Sequence, residues 1–225
     1  MRPAKPRDKR IEKPRQKVGD FTALALSKAA YTLSVHDPRE LPRPGVAEIA
    51  FAGRSNAGKS SAINTLTGRR RLAYVSKTPG RTQLINFFSL DGRAFLVDLP
   101  GYGYAGVPDA VREHWQTLVG DYIANRESLA VVVVVMDARH PLMPLDRQLL
   151  AWLREAGRPA HVLLTKSDKL SKQAGRVTLD RVRRELHGLA PQFTAQLFSS
   201  LKGEGVDEAA GTLSRLAAAK NKSPG

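Results

Sequence analysis

The stretch "GRSNAGKSS", Gly53 to Ser61, lies between the apolar run "AEIAFA" and the helix-like "SSAINTLTG". It meets the spacing GxxxxGK[ST] with Gly53, Gly58, Lys59 and Ser60. Glycines let the backbone turn several N–H groups inward, and the helix N-terminus that follows adds its dipole. Lys59 is placed to reach the β- and γ-phosphates of a nucleotide, Ser60 to ligate Mg²⁺, and Arg54, Ser55, Asn56 and Ala57 to supply the loop between the glycines. Such a cradle works only where a strand turns into a helix, so the motif points the whole chain towards an α/β fold.

The remaining pattern agrees. The runs "EIAFAG", "AFLVDLPG", "LAVVVVVMDAR", "HVLLTKSD" and "AQLFSS" are each followed by polar residues and a helical pattern. Unbroken apolar runs imply strands covered on both faces, hence a parallel sheet between helices. In "LINFFSLDGRAFLVD", two strand-like runs around Asp91-Gly92 read as a hairpin, which adds one antiparallel edge strand. The prediction is a P-loop NTPase: a three-layer α/β/α sandwich with a mostly parallel sheet. Its domain spans residues 19–218, opening with a helix in "DFTALALSKAAYTLSV" that Asp20 caps and that carries Phe21, Leu24, Leu26 and Leu33. Residues 1–18 hold eight Lys or Arg, two acids and three prolines, and read as a disordered basic arm. Residues 219–225 read as a frayed tail.

With 225 residues and 42% apolar content, one sizeable core is expected. The 36 Lys and Arg against 21 Asp and Glu leave +15, which favours a polyanionic partner, above all nucleic acid. There is no cysteine, which removes disulfides and thiolate metal sites, and the five histidines are too dispersed for a zinc site. The longest apolar run, Leu129 to Met136, is too short to span a bilayer, and the basic N-terminus lacks a signal peptide's apolar region. A cytoplasmic protein without membrane insertion is expected.

Three further motifs follow the phosphate loop in order. "VDLPG" gives Asp98, Leu99, Pro100 and Gly101: a carboxylate at a strand end that can hold Mg²⁺ through water, and an N–H that can sense a γ-phosphate. Before it, "SKTPGRTQLINFF" offers a conditional loop in which Thr78 or Thr82 could complete the Mg²⁺ shell; spacing does not choose between them. "LLTKSD" brings Thr165, Lys166, Ser167 and Asp168. Guanine presents N1–H and a 2-amino group side by side, and a carboxylate accepts both, so Asp168 reads guanine while the Lys166 stem lies along the base. In "LFSSLKGEGV", the backbone at Ser199 and Ser200 could contact the guanine O6. Ligands of open α/β sheets bind at the strands' carboxyl edge, where all these loops are expected.

On "FAGRSNAGKSSAIN", "TPGRTQ", "VDLPGYGYA", "LLTKSD" and "FSSLKGEG", the chain resembles the EngB family of bacterial GTP-binding proteins, in the TrmE-Era-EngA-EngB-septin-like group. The likeness covers roughly residues 21–216. It implies a Mg²⁺-dependent GTPase that binds GTP and GDP, helps mature the large ribosomal subunit, and is needed for normal division and septation. Partners would be the large-subunit precursor, its rRNA and ribosomal proteins, with the protein itself a monomer. It further implies that Gly53 to Ser60 bind phosphates, that Ser60 and Thr82 ligate Mg²⁺, and that Gly80, Arg81, Thr82, Gln83 and Leu84 form the conditional loop. Lys59, Thr82 and Gly101 would act on the γ-phosphate, Thr165 to Asp168 would read guanine, and Phe198, Ser199 and Ser200 would back the base.

Where Ras-type GTPases carry a water-orienting Gln after Asp-x-x-Gly, this chain has Tyr102, so slow intrinsic hydrolysis is expected. Asn56 resembles the residue that binds K⁺ in related GTPases, and K⁺ stimulation is the corresponding expectation. Basic residues gather in Gly68 to Leu72 and Gly175 to Gly188, as an RNA contact would need. The alternative reading is a nucleotide-gated RNA-binding module in which hydrolysis is incidental; a variant that binds but cannot hydrolyse GTP separates the two. A small-metabolite kinase is disfavoured, because no lid or acceptor pocket is recognisable.

Overall fold

The computed structural model describes residues 24–73, 84–103 and 109–222. Along the chain come β1 (Ala29–Val35), β2 (Ala47–Gly53), α1 (Lys59–Leu66), β3 (Ile85–Leu90), β4 (Ala94–Asp98) and α2 (Asp109–Asn125). They are followed by β5 (Leu129–Asp137), α3 (Pro144–Glu155), β6 (Ala160–Thr165), α4 (Lys172–Leu189), β7 (Thr194–Leu197) and α5 (Val206–Lys222). The strands form one seven-stranded sheet in the order β1-β3-β4-β2-β5-β6-β7.

β2 pairs in parallel with β4 and β5, and β5 to β7 continue in parallel. All nine residues of β5 are buried, as a central strand packed on both faces requires. Its side chains alternate between two apolar layers. Val131, Val133 and Val135 join Ile49 and Phe51 beneath α1 and α5, with Ile63, Leu66 and Leu213. Val132, Val134 and Met136 join Ala50 and Ala52 beneath α2, α3 and α4, with Tyr122, Leu150 and Leu186. The three layers expected from the sequence are therefore present.

The hairpin at Asp91-Gly92 is also present. Both residues are in the left-handed region, with φ of 58° and 68°, as a tight two-residue turn between twisted strands demands. β3 runs antiparallel to β4, but it is not the edge. That place belongs to β1, which pairs antiparallel with β3 from Val35↔Ile85 to Ala29↔Leu90. Here the expected helix fails: residues 29–35 are strand, preceded by a 3₁₀ turn at Leu26–Lys28. The β3 edge offers a ready ladder to a short segment of aromatic and β-branched residues, Tyr31, Thr32 and Val35, for which a helix of this length would be marginal. Asp20 and Phe21, like the basic arm, lie outside the described residues.

The C-terminal expectation also needs correction. α5 continues to Lys222 rather than fraying from 219, because Asn221 ties it down, while the last residues of the expected tail, 223–225, lie outside the described residues. Its Oδ1 accepts from the Ala47 N–H at 2.7 Å, and its Nδ2 donates to the Arg93 carbonyl at 3.1 Å.

At the amino end of the sheet, the buried Glu48 of β2 accepts from Arg126 Nη2 at 2.6 Å and from Tyr122 Oη at 2.7 Å, and Arg126 also donates to the Pro42 carbonyl at 2.7 Å. This paired charge fastens the end of α2 beneath the sheet. The opposite rim, where β2, β4, β5, β6 and β7 end, is left for loops.

Candidate functional site

β2 ends in Gly53 for a steric reason: a Cβ there would lie 2.8 Å from the Val135 carbonyl oxygen of β5. Beyond it the loop turns through Asn56 at φ 61° and Gly58 at φ 100°, the latter preceding α1. The loop is pinned from within by Ala57 N–H to the Arg54 carbonyl, 3.0 Å. Lys59 and Ser60 open the helix, so the N-terminal amides and the lysine sit at one end of a cavity of about 710 Å³. Ser55, Asn56, Lys59, Asp98, Gly101 and Lys166 are among its lining residues.

The Asp98 segment runs beside this loop. Leu99 N–H donates to the Phe51 carbonyl at 3.0 Å, Tyr102 N–H to the Gly53 carbonyl at 3.3 Å, and Ser55 N–H to the Tyr102 carbonyl at 2.8 Å. β2 and β4 are thus continued past their ends, and the Asp98 carboxylate is ion-paired with the Lys59 ammonium. Tyr102 is turned into the domain, and its hydroxyl donates to Asp146 Oδ1 at 2.9 Å. Asp146, wholly buried at the start of α3, also accepts from Arg54 Nε at 3.3 Å and from the Met143 N–H at 3.0 Å. Burial pushes the Asp146 carboxyl up, against the bonds from Tyr102 and Arg54. Burial, together with the charge of Asp146, pushes the Tyr102 phenol well above its ordinary range, so it stays protonated and donates.

The Thr165–Asp168 segment closes the other side. Thr165 Oγ1 donates to the Ala57 carbonyl and, at 3.0 Å, to the Met136 carbonyl. Lys166, at φ 57°, sends its ammonium to the Asn56 carbonyl at 2.7 Å. Both residues therefore grip the phosphate loop itself. Asp168 Oδ1 accepts from Ser199 Oγ at 2.6 Å, and Lys169 stands 3.9 Å from its other oxygen. Ser167 N–H donates to the Phe198 carbonyl at 3.2 Å, and its hydroxyl to Glu204 Oε2 at 2.9 Å. Phe198 is fully buried and supports the loop from the core, while the Ser199 N–H is engaged by the Glu204 carbonyl at 3.0 Å.

Three of the expected loops, Gly53–Ser60, Asp98–Gly101 and Thr165–Asp168, meet at one rim, with Phe198–Ser200 behind the last. Leu84 lines the same cavity. Gly80, Arg81, Thr82 and Gln83, with Thr78, lie outside the described residues. The sequence did not reveal Asp146, Glu204 or the hydroxyl of Ser199: a lone acid or serine has no diagnostic spacing, and only the fold brings each to its partner. The donors near Lys59, the Ser60 hydroxyl and the Asp98 carboxylate, are hard oxygens suited to Mg²⁺. Among the described residues no group of three or more His, Cys, Asp or Glu could hold a metal, so a divalent ion here would rely on hydroxyl and ligand oxygens.

Comparison with known proteins sets this geometry among its relatives. The family described as "50S ribosome-binding GTPase" matches residues 48–166. A "Probable GTP-binding protein EngB" of Methylobacillus flagellatus is 57% identical over 187 residues, 83% of this chain and 90% of the relative. Another, of Aromatoleum aromaticum, is 61% identical over 180 residues, 80% of this chain and 83% of the relative. Among solved structures, one of a probable GTP-binding protein engB aligns with TM-score 0.62 at 25% identity, over 77% of this chain and all of that one. Era in complex with MgGDPNP and nucleotides of 16S ribosomal RNA aligns with TM-score 0.60 at 22% identity, over 77% of this chain and 57% of that one, a likeness of fold.

Proposed function

The chain belongs to the EngB family of GTP-binding proteins and is a GTPase; from that premise we propose that it is a Mg²⁺-dependent switch acting in assembly of the large ribosomal subunit and needed for normal division and septation. The observation that carries the site reading is the grip of Thr165 and Lys166 on the Ala57 and Asn56 carbonyls. It supports one cleft in which phosphates and base are bound together.

In this reading the N–H groups of Gly53 to Ser60 hold the phosphates, and Lys59 spans the β- and γ-phosphates. Ser60 and Thr82 would hold Mg²⁺ directly, with Asp98 behind a water; when bound, the ion neutralises charge on the phosphate oxygens. Gly101 would sense the γ-phosphate, and Gly80 to Leu84 would order only when it is present. Water attacks the γ-phosphorus, the bond to the bridging oxygen breaks, and GDP and phosphate leave. Tyr102 is committed to Asp146, which supports slow turnover until a partner, or K⁺ beside Asn56, completes the site. The GTP-loaded face would dock, as a monomer in the cytoplasm, on large-subunit rRNA and protein, and hydrolysis would release it.

Asp168 would take the guanine N1–H and 2-amino group, held for that task by Ser199. Asp168→Asn reverses one hydrogen bond. GTP affinity should fall about a hundredfold or more while xanthosine triphosphate gains. Equilibrium titration with both nucleotides checks this, and an unchanged GTP affinity would contradict it.

A further inference from the structure

Asp137 has no part in the roles assigned so far. It is the last residue of β5, at the same rim as the phosphate loop, and almost fully buried. Its carboxylate accepts from Arg139 Nε at 2.9 Å, Arg139 Nη2 at 2.6 Å and the Arg139 N–H at 3.0 Å. On the same side it meets Lys166 Nζ at 3.0 Å. Burial opposes its charge, but the hydrogen bonds from Arg139 and Lys166 outweigh that and hold the carboxyl well below the usual carboxylate range.

The geometry of Lys166 gives this carboxylate a purpose. The lysine sits just past the end of β6 with left-handed backbone, and its ammonium bridges Asp137 and the Asn56 carbonyl, whose residue is itself at φ 61°. A lysine side chain is long and flexible, and left free it would have to be ordered each time a ligand arrived. Here both ends are fixed beforehand, one by the backbone and one by an anion from a neighbouring strand. We propose that Asp137 is a positioning residue for nucleotide binding that acts through Lys166. It straps the ammonium across the phosphate loop, so that the aliphatic stem stands ready as the surface on which the base rests. Arg139 completes the strap by satisfying the remaining lone pairs of the carboxylate. The inference rests on reading Thr165 to Asp168 as the base-binding loop.

The test is a cycle on the full chain, with GDP carrying a fluorescent ribose label as the probe. Asp137→Asn should weaken labelled GDP about tenfold, chiefly through faster dissociation. In a Lys166→Ala background the same substitution should change affinity less than twofold, since the side chain it acts through is gone. Lys166→Met keeps the stem, loses the ammonium and leaves Asp137 paired with Arg139. It should reproduce the Asp137→Asn loss within about twofold, and it decides the matter if Asp137→Asn does not fold. Losses from Asp137→Asn that are equal in both backgrounds, or wild-type affinity in Lys166→Met, would overturn the proposal. The base-loop reading fails separately, through an Asp168→Asn variant that shows no move towards xanthosine nucleotides.

Discussion

His161 shows how far burial shifts a single residue. Its Nδ1 lies 2.8 Å from Thr194 Oγ1 and its Nε2 lies 3.0 Å from Gln196 Oε1, under a nearly closed surface. Burial lowers the imidazole from 6.5 to about 4; the Gln196 bond resists this, and Arg183 and Arg215 add to it. The unfolded chain therefore takes up this proton near pH 6.5 and the folded chain only near pH 4. The contribution to stability is complete above pH 6.5 and is lost as pH falls towards 4, by about 3 kcal/mol over the whole window. Urea unfolding at pH 7 and pH 5 should show a loss of roughly 2 kcal/mol that His161→Gln abolishes; an unaltered pH slope in the variant would exclude His161 as the cause. At this scale the sequence was uneven in what it revealed. Lys59, Asp98 and Asp168 stood out because motifs for phosphate and guanine fix both residue type and spacing, and the structure brings their loops to one rim. Asp137, Asp146 and the Ser199 hydroxyl were not, because their roles are defined by a neighbour that only the fold supplies.

Among the elements, α2 is fastened at its C-terminal end by one charged residue, Arg126. Arg126 at its end is 6% exposed and faces Glu48 at 1%, with Tyr122 on the same carboxylate. Removing one partner strands the other in low dielectric, so Arg126→Ala should cost about 3–5 kcal/mol in urea unfolding. A cost below about 1 kcal/mol would mean that water reaches Glu48. The central strands were legible as unbroken apolar runs, and the hairpin through Asp-Gly. β1 was not. Its pairing shifts between Tyr31 and Leu33, and this irregularity breaks the two-residue alternation that would have marked a strand. What remained was an apolar spacing compatible with a helix, which pairing with β3 overrode. Only the last turn of α5 escaped, for a similar reason: its Ala- and Lys-rich end looks unanchored until Asn221 meets the Ala47 N–H and the Arg93 carbonyl.

Across the whole molecule, charge is the property with the longest reach. The net charge is +15. The turn after α1 exposes Arg69, Arg70 and Arg71, and α4 exposes Lys172, Arg176, Arg181 and Arg184. A bound nucleotide neutralises only a few of these, and RNA phosphates would engage the rest. With six phosphate contacts, affinity for large-subunit RNA should drop about a thousandfold between 50 and 200 mM salt. Sedimentation of the chain with large ribosomal subunits, loaded with a non-hydrolysable GTP analogue, measures this. A response independent of salt would remove the RNA contact. The sequence showed this surplus plainly as a number, but not its distribution, which depends on the side of the sandwich each helix presents.

In the proposed phosphate site, the ion pair between Lys59 and Asp98 would make ligand capture an exchange of partners. An arriving phosphate would have to win the ammonium away from a carboxylate that already satisfies it, and the anion thereby released would stand with an unmet need for positive charge. A divalent ion is the natural replacement. Each guest would then prepare the cleft for the other, and by reciprocity either one, once seated, would raise the affinity of its companion.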